Sequence, residues 1–333
     1  MWFEELFGFQ ESREAVYENI KVEGVVMTSK ANGRMFRVGK FTMSSLEELR
    51  RDITYINYNQ KISVEEVVGN VQDFHSQRKN ANAVFQVASQ FNMLEMISPE
   101  ITPEQGVTRY EMDRTQGPAC AIACGPATVY RNYFVSLDGK VGQTAARQLN
   151  GLEAWERFFE NAENHFWTTK NGYVFFTEEG LQHVTECIKA LNNLEREDLK
   201  SQLKVGVHWN TQVTLVQNPH MVTQVFCSAL PLGYTSNIPT SKFETVAKLI
   251  LEATYEATFL AAIKNFADSG DSQLYLTLVG GGVFGNPKEW IWEAIEKAIV
   301  KYQHIPLRIK IVSYGSSDSW LKQKIDQLCS NNF

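Results

Sequence analysis

The sequence predicts an α/β fold in which a largely parallel sheet carries helices on both faces. The main indication is an alternation of apolar strands and helices in the C-terminal part: strands at 222–230, 274–279 and 307–313, separated by helices at 242–266 and 287–302. Such alternation is typical of parallel strands joined by crossover helices. Ligands of these sheets bind beyond the carboxyl ends of the strands.

Length and composition allow a sizeable core. The chain has 333 residues, of which 44% are hydrophobic and 21% are charged, close to the globular average. We expect an N-terminal extension at 1–60 that packs on the core, followed by one domain at 61–333. The patterning at about 151–204 is mostly helical around a short strand at 173–176, and it predicts a subdomain inserted into that domain.

Earlier segments are assigned by the same reasoning. Strands at 20–27 and 34–42 flank Ser29-Lys30-Ala31-Asn32-Gly33, which has hairpin-turn chemistry. Further predicted segments are a strand at 62–68, a buried strand at 83–89, an irregular stretch at 90–125, helices at 152–164 and 178–194, and short strands at 205–209 and 213–216.

Charge and cysteine usage exclude several classes of protein. Lys and Arg number 32 against 38 Asp and Glu, which gives a net charge of −6. We therefore do not expect the protein to bind duplex nucleic acid. Five scattered cysteines do not form a disulfide pattern. The start of the chain lacks the features of a signal peptide, and the longest apolar stretch, 246–263, carries three charges. We therefore expect a cytoplasmic protein with no membrane partner.

The sharpest local signal is the glycine loop, defined as Leu278–Pro287. Three consecutive glycines, Gly280 to Gly282, lie between a buried strand and a helix. They allow positive φ angles and a close approach of the backbone, and free N–H groups would attract a phosphate. Neither the P-loop lysine nor a complete dinucleotide fingerprint is present. A tight turn without a ligand is the alternative interpretation.

The glycine loop, followed by Trp290-Ile291-Trp292-Glu293-Ala294-Ile295, resembles the second phosphate loop of macrodomains and of poly(ADP-ribose) glycohydrolase-like proteins. Three further segments resemble macrodomain segments: 224–231, 68–71 and 83–92. The segment at 113–121, Asp-Arg-Thr-Gln-Gly-Pro-Ala-Cys-Ala, resembles divergent, MavL-like ADP-ribosyl hydrolases. The sequence departs from the macrodomain pattern in two places, because Asn70 replaces the usual adenine-binding Asp and a longer acidic stretch replaces the catalytic glycines.

The resemblance implies a three-layer, macrodomain-like mixed sheet and a hydrolase that removes ADP-ribose from a modified protein. Arginine is the side chain it implies, with ubiquitin as a possible carrier. It implies no cofactor, and no spacing of His, Asp and Glu indicates a metal. The residues expected to bind ADP-ribose are Asn70, Gln90, Asn92, Thr115, Gln116, Gly117, Gly280, Gly281, Gly282, Val283, Phe284, Gly285 and Asn286.

Hydrolysis at an anomeric carbon passes through an oxocarbenium-like transition state and uses carboxylates. Asp113 is the first candidate, because it precedes a segment of small residues suited to ligand contact, and Glu95 and Glu104 follow. Solvated loop charges are the alternative for each of them. Two other functions stay open: a module that binds ADP-ribose without cleaving it, and an enzyme that acts on a free ADP-ribose derivative.

Overall fold

A computed structural model describes residues 1–53 and 61–332. The expected end of the extension at residue 60 lies outside the described residues. The strands are β1 (Ile20–Glu23), β2 (Val26–Ser29), β3 (Met35–Arg37), β4 (Lys40–Ser45), β5 (Ser63–Val68), β6 (Val84–Ala88), β7 (Ser136–Leu137), β8 (Lys140–Val141), β9 (Trp167–Lys170), β10 (Tyr173–Phe176), β11 (Lys204–Gln212), β12 (Met221–Cys227), β13 (Gln273–Leu276) and β14 (Arg308–Ser313). The α-helices are α1 (Trp2–Phe7), α2 (Arg13–Asn19), α3 (Leu46–Arg51), α4 (Val71–Ser76), α5 (Gln116–Ala123), α6 (Gly125–Val129), α7 (Glu153–Phe158), α8 (Glu178–Ala190), α9 (Asn193–Ser201), α10 (Glu244–Ser269), α11 (Lys288–Lys301) and α12 (Ser319–Asn332).

The centre of the molecule is a seven-stranded sheet in the order β4-β11-β12-β6-β13-β14-β5. The five strands from β12 to β5 are parallel, whereas β11 pairs antiparallel with both β12 and β4. The parallel strands therefore end at one edge of the sheet. The predicted mixed α/β sheet is confirmed.

Side-chain alternation along the central strand β6 explains the three layers. Gln86 points to one face, where its Nε2 donates to Thr258 Oγ1 of α10 at 2.9 Å. Phe85 points to the other face, where it stacks on His75 of α4 at 3.7 Å between ring centroids. Because residues of a strand alternate between faces, β6 contacts helices on both sides of the sheet, with a hydrogen bond on one face and a ring stack on the other. The sheet is covered by helices on both faces, as predicted.

Residues 20–45 form a small sheet of their own and also supply one strand to the central sheet. Strands β1, β2 and β3 form an antiparallel sheet, and the hairpin turn predicted at 29–33 joins β2 to β3. Each of the two predicted strands is divided in the structure. Gly39, with φ of 75°, causes the second division, since a Cβ there would lie 2.1 Å from the Trp209 carbonyl oxygen. Strand β4 after it becomes an edge of the central sheet.

Several other predicted segments differ in the structure, among them the helix predicted at 152–164, of which α7 covers only 153–158. The stretch at 90–125 contains helix α5 and the first residue of α6 and is not irregular throughout. Its small residues, buried on nearly every side, give no amphipathic period to detect. The strand predicted at 205–209 lies within the longer strand β11, which has an irregular register between His208 and Thr211, whereas the strand predicted at 213–216 is wrong because β11 ends at Gln212. The helix predicted at 178–194 is two helices, because the Asn192 side chain caps the start of α9.

Candidate functional site

A cavity of about 220 Å³ lies at the carboxyl ends of β6, β12 and β13. This is the edge at which parallel α/β sheets bind their ligands. Its wall includes ten of the residues that the sequence singled out, namely Gln90, Glu95, Asp113, Thr115, Gln116, Gly117, Gly280, Gly282, Val283 and Phe284. Two segments far apart in sequence, the acidic stretch and the glycine loop, therefore meet across one cavity.

The conformation of the glycine loop depends on two of its glycines and on Asn286. Gly280 and Gly285 have φ angles of 81° and 70°, in the left-handed region that favours glycine. The Asn286 backbone N–H donates to the Gly280 carbonyl oxygen at 2.9 Å. Its side-chain Nδ2 donates to the Leu230 carbonyl oxygen at 2.8 Å. Asn286 thus closes the loop and ties it to the segment after β12.

Backbone donors of the glycine loop are left without protein acceptors. Within residues 1–53 and 61–332, the N–H groups of Gly280, Gly282, Val283 and Phe284 have no hydrogen-bond partner. Successive free N–H groups in a turn form an anion-binding concavity, and the start of helix α11 follows directly. The N–H groups of Gly282, Val283 and Phe284 are therefore three successive donors on the cavity wall.

Another part of the cavity wall is formed by Asp113 and the start of helix α5. Asp113 Oδ1 accepts a hydrogen bond from the Thr115 N–H at 2.8 Å, which fixes the turn into the helix. Gly117 lies against the end of β6, where a Cβ would be 2.0 Å from the Ala88 carbonyl oxygen. The Gln116 side chain accepts a hydrogen bond from the Val71 N–H at 2.8 Å and so links α5 to α4.

Glu95 lines the same cavity, but its side chain is buried. Its Oε2 pairs with Arg131 Nη2 at 3.0 Å, and both side chains are fully shielded from solvent. Glu95 Oε1 has no hydrogen-bond partner among the described residues. Burial raises the pKa of Glu95 to about 7, and the charge and hydrogen bond of Arg131 oppose this rise. A carboxyl group with such a pKa can exchange a proton near neutral pH.

Aromatic side chains form a further part of the wall, and sequence reasoning found only one of them. Phe284 lies 5.4 Å from Tyr173 and 6.0 Å from Tyr234, measured between ring centroids. Burial raises the pKa of Tyr173, so its hydroxyl stays neutral, and it donates to the Met96 carbonyl oxygen at 2.8 Å. Tyr173 comes from the hairpin of β9 and β10, and nothing in its local sequence indicates that it faces a distant glycine loop.

The structure places six of the candidate residues outside the cavity wall. Glu104 is exposed and accepts a hydrogen bond from the Ala145 N–H at 2.9 Å. Asn70 caps helix α4, since its side chain accepts a hydrogen bond from the Gln72 N–H. Asn92 is buried, and its Nδ2 donates a hydrogen bond to Gln148 Oε1. The other three, which support the glycine loop or lie beside its cavity-facing residues, are Gly281, Gly285 and Asn286.

The described part of the chain contains no group of three or more His, Cys, Asp or Glu side chains that could hold a metal ion. Its helices include none long and apolar enough to cross a membrane. Cys120 and Cys124 are buried thiols that form no disulfide.

The fold defines a three-layer α/β protein with a cavity at the carboxyl edge of a mixed sheet. No family model matches the chain, and no curated protein matches its sequence. Among solved structures, it is similar to poly(ADP-ribose) glycohydrolase from Thermomonospora curvata, with a TM-score of 0.47 and 11% identity over 96% of each chain. It is also similar to poly(ADP-ribose) glycohydrolase from Deinococcus radiodurans in complex with ADP-ribose, with a TM-score of 0.45 and 11% identity over 87% of this chain and 95% of that chain.

Proposed function

We propose that this protein is an ADP-ribosyl hydrolase, which cleaves the bond between the anomeric carbon of ADP-ribose and a modified protein. One observation carries the proposal: the same cavity is lined by the free N–H groups of the glycine loop and by the carboxyl residues Glu95 and Asp113. The first feature suits a diphosphate, and the second suits chemistry at a ribose.

Asp113 is the residue that we assign to the reaction at the anomeric carbon. In the proposed step its carboxylate takes a proton from a water molecule, the water oxygen bonds to the anomeric carbon, and the bond to the leaving group breaks. The leaving group must gain a proton, which Glu95 can supply because burial keeps its pKa near neutrality. Two carboxyl groups with different environments are the usual basis for such a division of roles.

The linkage and the carrier are further proposals. The resemblance of 113–121 to MavL-like hydrolases favours arginine as the modified side chain and ubiquitin as one carrier. Arginine is a poor leaving group, so proton delivery from a buried carboxyl group would help its release. A module that binds ADP-ribose without cleaving it would use the same glycine loop and is the second candidate.

Two measurements on the purified protein test the proposal. Calorimetric titration with ADP-ribose should give one saturable site with an affinity of about micromolar or better, equivalent to about −8 kcal/mol. Proteins modified on arginine, serine or glutamate, together with a free ADP-ribose derivative, should then be assayed for release of ADP-ribose. Binding without release from any substrate would favour the non-catalytic module. No binding at millimolar ADP-ribose would reject both functions.

A further inference from the structure

Trp2 and Glu11, near the start of the chain, contact the segment at 106–113 that carries Asp113. Glu11 Oε1 accepts a hydrogen bond from the Val107 N–H at 2.8 Å and another from the Tyr133 hydroxyl at 2.8 Å. Glu11 Oε2 accepts from the Thr108 N–H at 2.7 Å. One carboxylate thus satisfies two successive backbone donors of the turn at 107–108 and one phenol.

The backbone of this turn is shaped to receive the carboxylate. Gly106 has a φ angle of 81°, and a Cβ there would lie 2.5 Å from the Glu11 carboxyl group. Only glycine therefore permits both the conformation and the close approach. A second contact comes from Trp2, whose Nε1 donates to the Thr108 carbonyl oxygen at 3.1 Å.

A chain of hydrogen bonds leads from Glu11 to the cavity. The Val107 carbonyl oxygen accepts from the Tyr110 N–H at 3.1 Å, and the Tyr110 carbonyl oxygen accepts from the Asp113 N–H at 3.2 Å. The Tyr110 hydroxyl accepts from the Glu95 N–H at 3.0 Å. The turn that Glu11 holds therefore sets the backbone of both carboxyl residues of the cavity.

We propose that Glu11 is a positioning residue, which fixes the turn at 107–110 and through it places Asp113 and Glu95 against the bound ligand. The inference rests on the proposed function, because it assigns these two residues to the reaction. Glu11 does not line the cavity, so its effect is on the geometry of the reacting groups and not on the anion-binding N–H groups of the glycine loop. It should act on kcat more than on the affinity for ADP-ribose.

The test compares Glu11→Ala, Glu11→Gln and, as the matched control, Glu14→Ala, which removes an exposed carboxylate from the same segment. For Glu11→Ala we expect kcat to fall by about tenfold to a hundredfold, since small displacements of reacting groups have effects of that size. The dissociation constant for ADP-ribose should stay within about threefold, because an intact anion site keeps most of the binding free energy. Glu11→Gln should recover part of kcat. An amide oxygen in the place of Oε2 still accepts from the Thr108 N–H at 2.7 Å and the Val107 N–H at 3.0 Å, whereas an NH₂ in the place of Oε1 loses the 2.8 Å bond from the Val107 N–H.

Hydrogen exchange supplies a readout that does not depend on activity. In Glu11→Ala, exchange should accelerate at 113–117, which Glu11 does not touch, as well as at 106–108, which it does. Acceleration confined to 106–108, or a kcat equal to that of Glu14→Ala, would overturn the inference. If Glu11→Ala does not fold, Trp2→Phe, which removes the indole N–H bond to Thr108 and leaves Glu11 in place, decides by the same readouts. If the unmodified protein releases no ADP-ribose, the proposed function fails, and exchange at 113–117 alone decides whether Glu11 positions this segment.

Discussion

Asp113 lines the cavity and accepts a hydrogen bond that an asparagine side chain could also accept. Its Oδ1 accepts from the Thr115 N–H, and the amide oxygen of asparagine can do the same. For Asp113→Asn we expect turnover to fall by about 10²- to 10⁴-fold, the usual contribution of a general acid or base, with ADP-ribose binding nearly intact. Release of ADP-ribose from a modified protein and calorimetric titration measure the two effects. Glu104→Gln, outside the cavity wall, should retain activity; retention by Asp113→Asn as well would remove Asp113 from the mechanism.

Gly280 and Gly282 have different roles in the glycine loop, and substituting each of them by alanine should have different effects. Gly282 has no atom within 4 Å of an added Cβ and does not have a positive φ angle, so we expect Gly282→Ala to change the free energy of unfolding by less than about 0.5 kcal/mol. The added methyl group would nevertheless stand where the diphosphate approaches, and affinity for ADP-ribose should fall by about tenfold, as 1.4 kcal/mol would produce.

Gly280 instead carries the conformation of the loop. A Cβ there would lie 2.6 Å from the Ala229 Cβ, and its φ angle of 81° is unfavourable for alanine. Gly280→Ala should lower the free energy of unfolding by about 1–3 kcal/mol. Urea denaturation and calorimetry distinguish the two variants. Equal affinity of Gly282→Ala and the unmodified protein would show that ADP-ribose does not approach the loop at this residue.

At the level of elements, the site depends on how closely helix α5 approaches strand β6. The approach is possible because Gly117 has no side chain to meet the Ala88 carbonyl oxygen, 2.0 Å from the position of a Cβ. Gly117→Ala should force the start of α5 away from β6, lower the free energy of unfolding by about 1–3 kcal/mol and weaken ADP-ribose binding. Ala119→Gly, two residues further along the same helix, controls for helix propensity. Unchanged binding in Gly117→Ala would show that this contact does not shape the cavity.

At the level of the whole molecule, the buried carboxylate of Glu256 connects the four helices α3, α9, α10 and α11. Glu256 of α10 accepts from Arg50 Nε of α3 and from Lys301 Nζ of α11, each at 2.7 Å. Lys200 of α9 lies 3.4 Å away. Burial alone would raise the pKa of Glu256, but the hydrogen bonds from Arg50 and Lys301 outweigh it and lower the pKa to about 2.

This network predicts a defined acid sensitivity. A carboxyl group whose pKa is lower in the folded state stabilises the protein above its ordinary pKa, and that stabilisation disappears as the pH falls from about 4.5 towards about 2. Glu256→Gln should lower the free energy of unfolding at pH 7 by about 3 kcal/mol, because it removes the partner of buried or half-buried cations. It should also flatten the loss of stability below pH 5. Urea denaturation from pH 3 to 7 checks both effects, and parallel curves for the two proteins would contradict the assignment.

Much of the fold could be predicted because strands and helices carry local periodicity. The C-terminal helices and strands lie close to their predicted bounds, since a 26-residue, mostly buried helix and short apolar strands are distinguished by their length and composition. Helix α5 was missed because a helix made of small, buried residues has no polar face. The division of the strands at 20–27 and 34–42 was missed because turns at single glycines depend on contacts, such as that of Gly39 with β11.

The sequence by itself determined the mixed α/β class, the glycine loop and the acidic segment with Asp113, because these depend on residue type and on spacing along the chain. Only the tertiary structure decided which candidates share a cavity. It brought Glu95, Asp113 and the glycine loop together, left Glu104 and Asn92 outside, and added Tyr173 and Tyr234. The physical reason is that the order of strands in the sheet, which places the end of β6 beside those of β12 and β13, follows from long-range packing and not from local sequence.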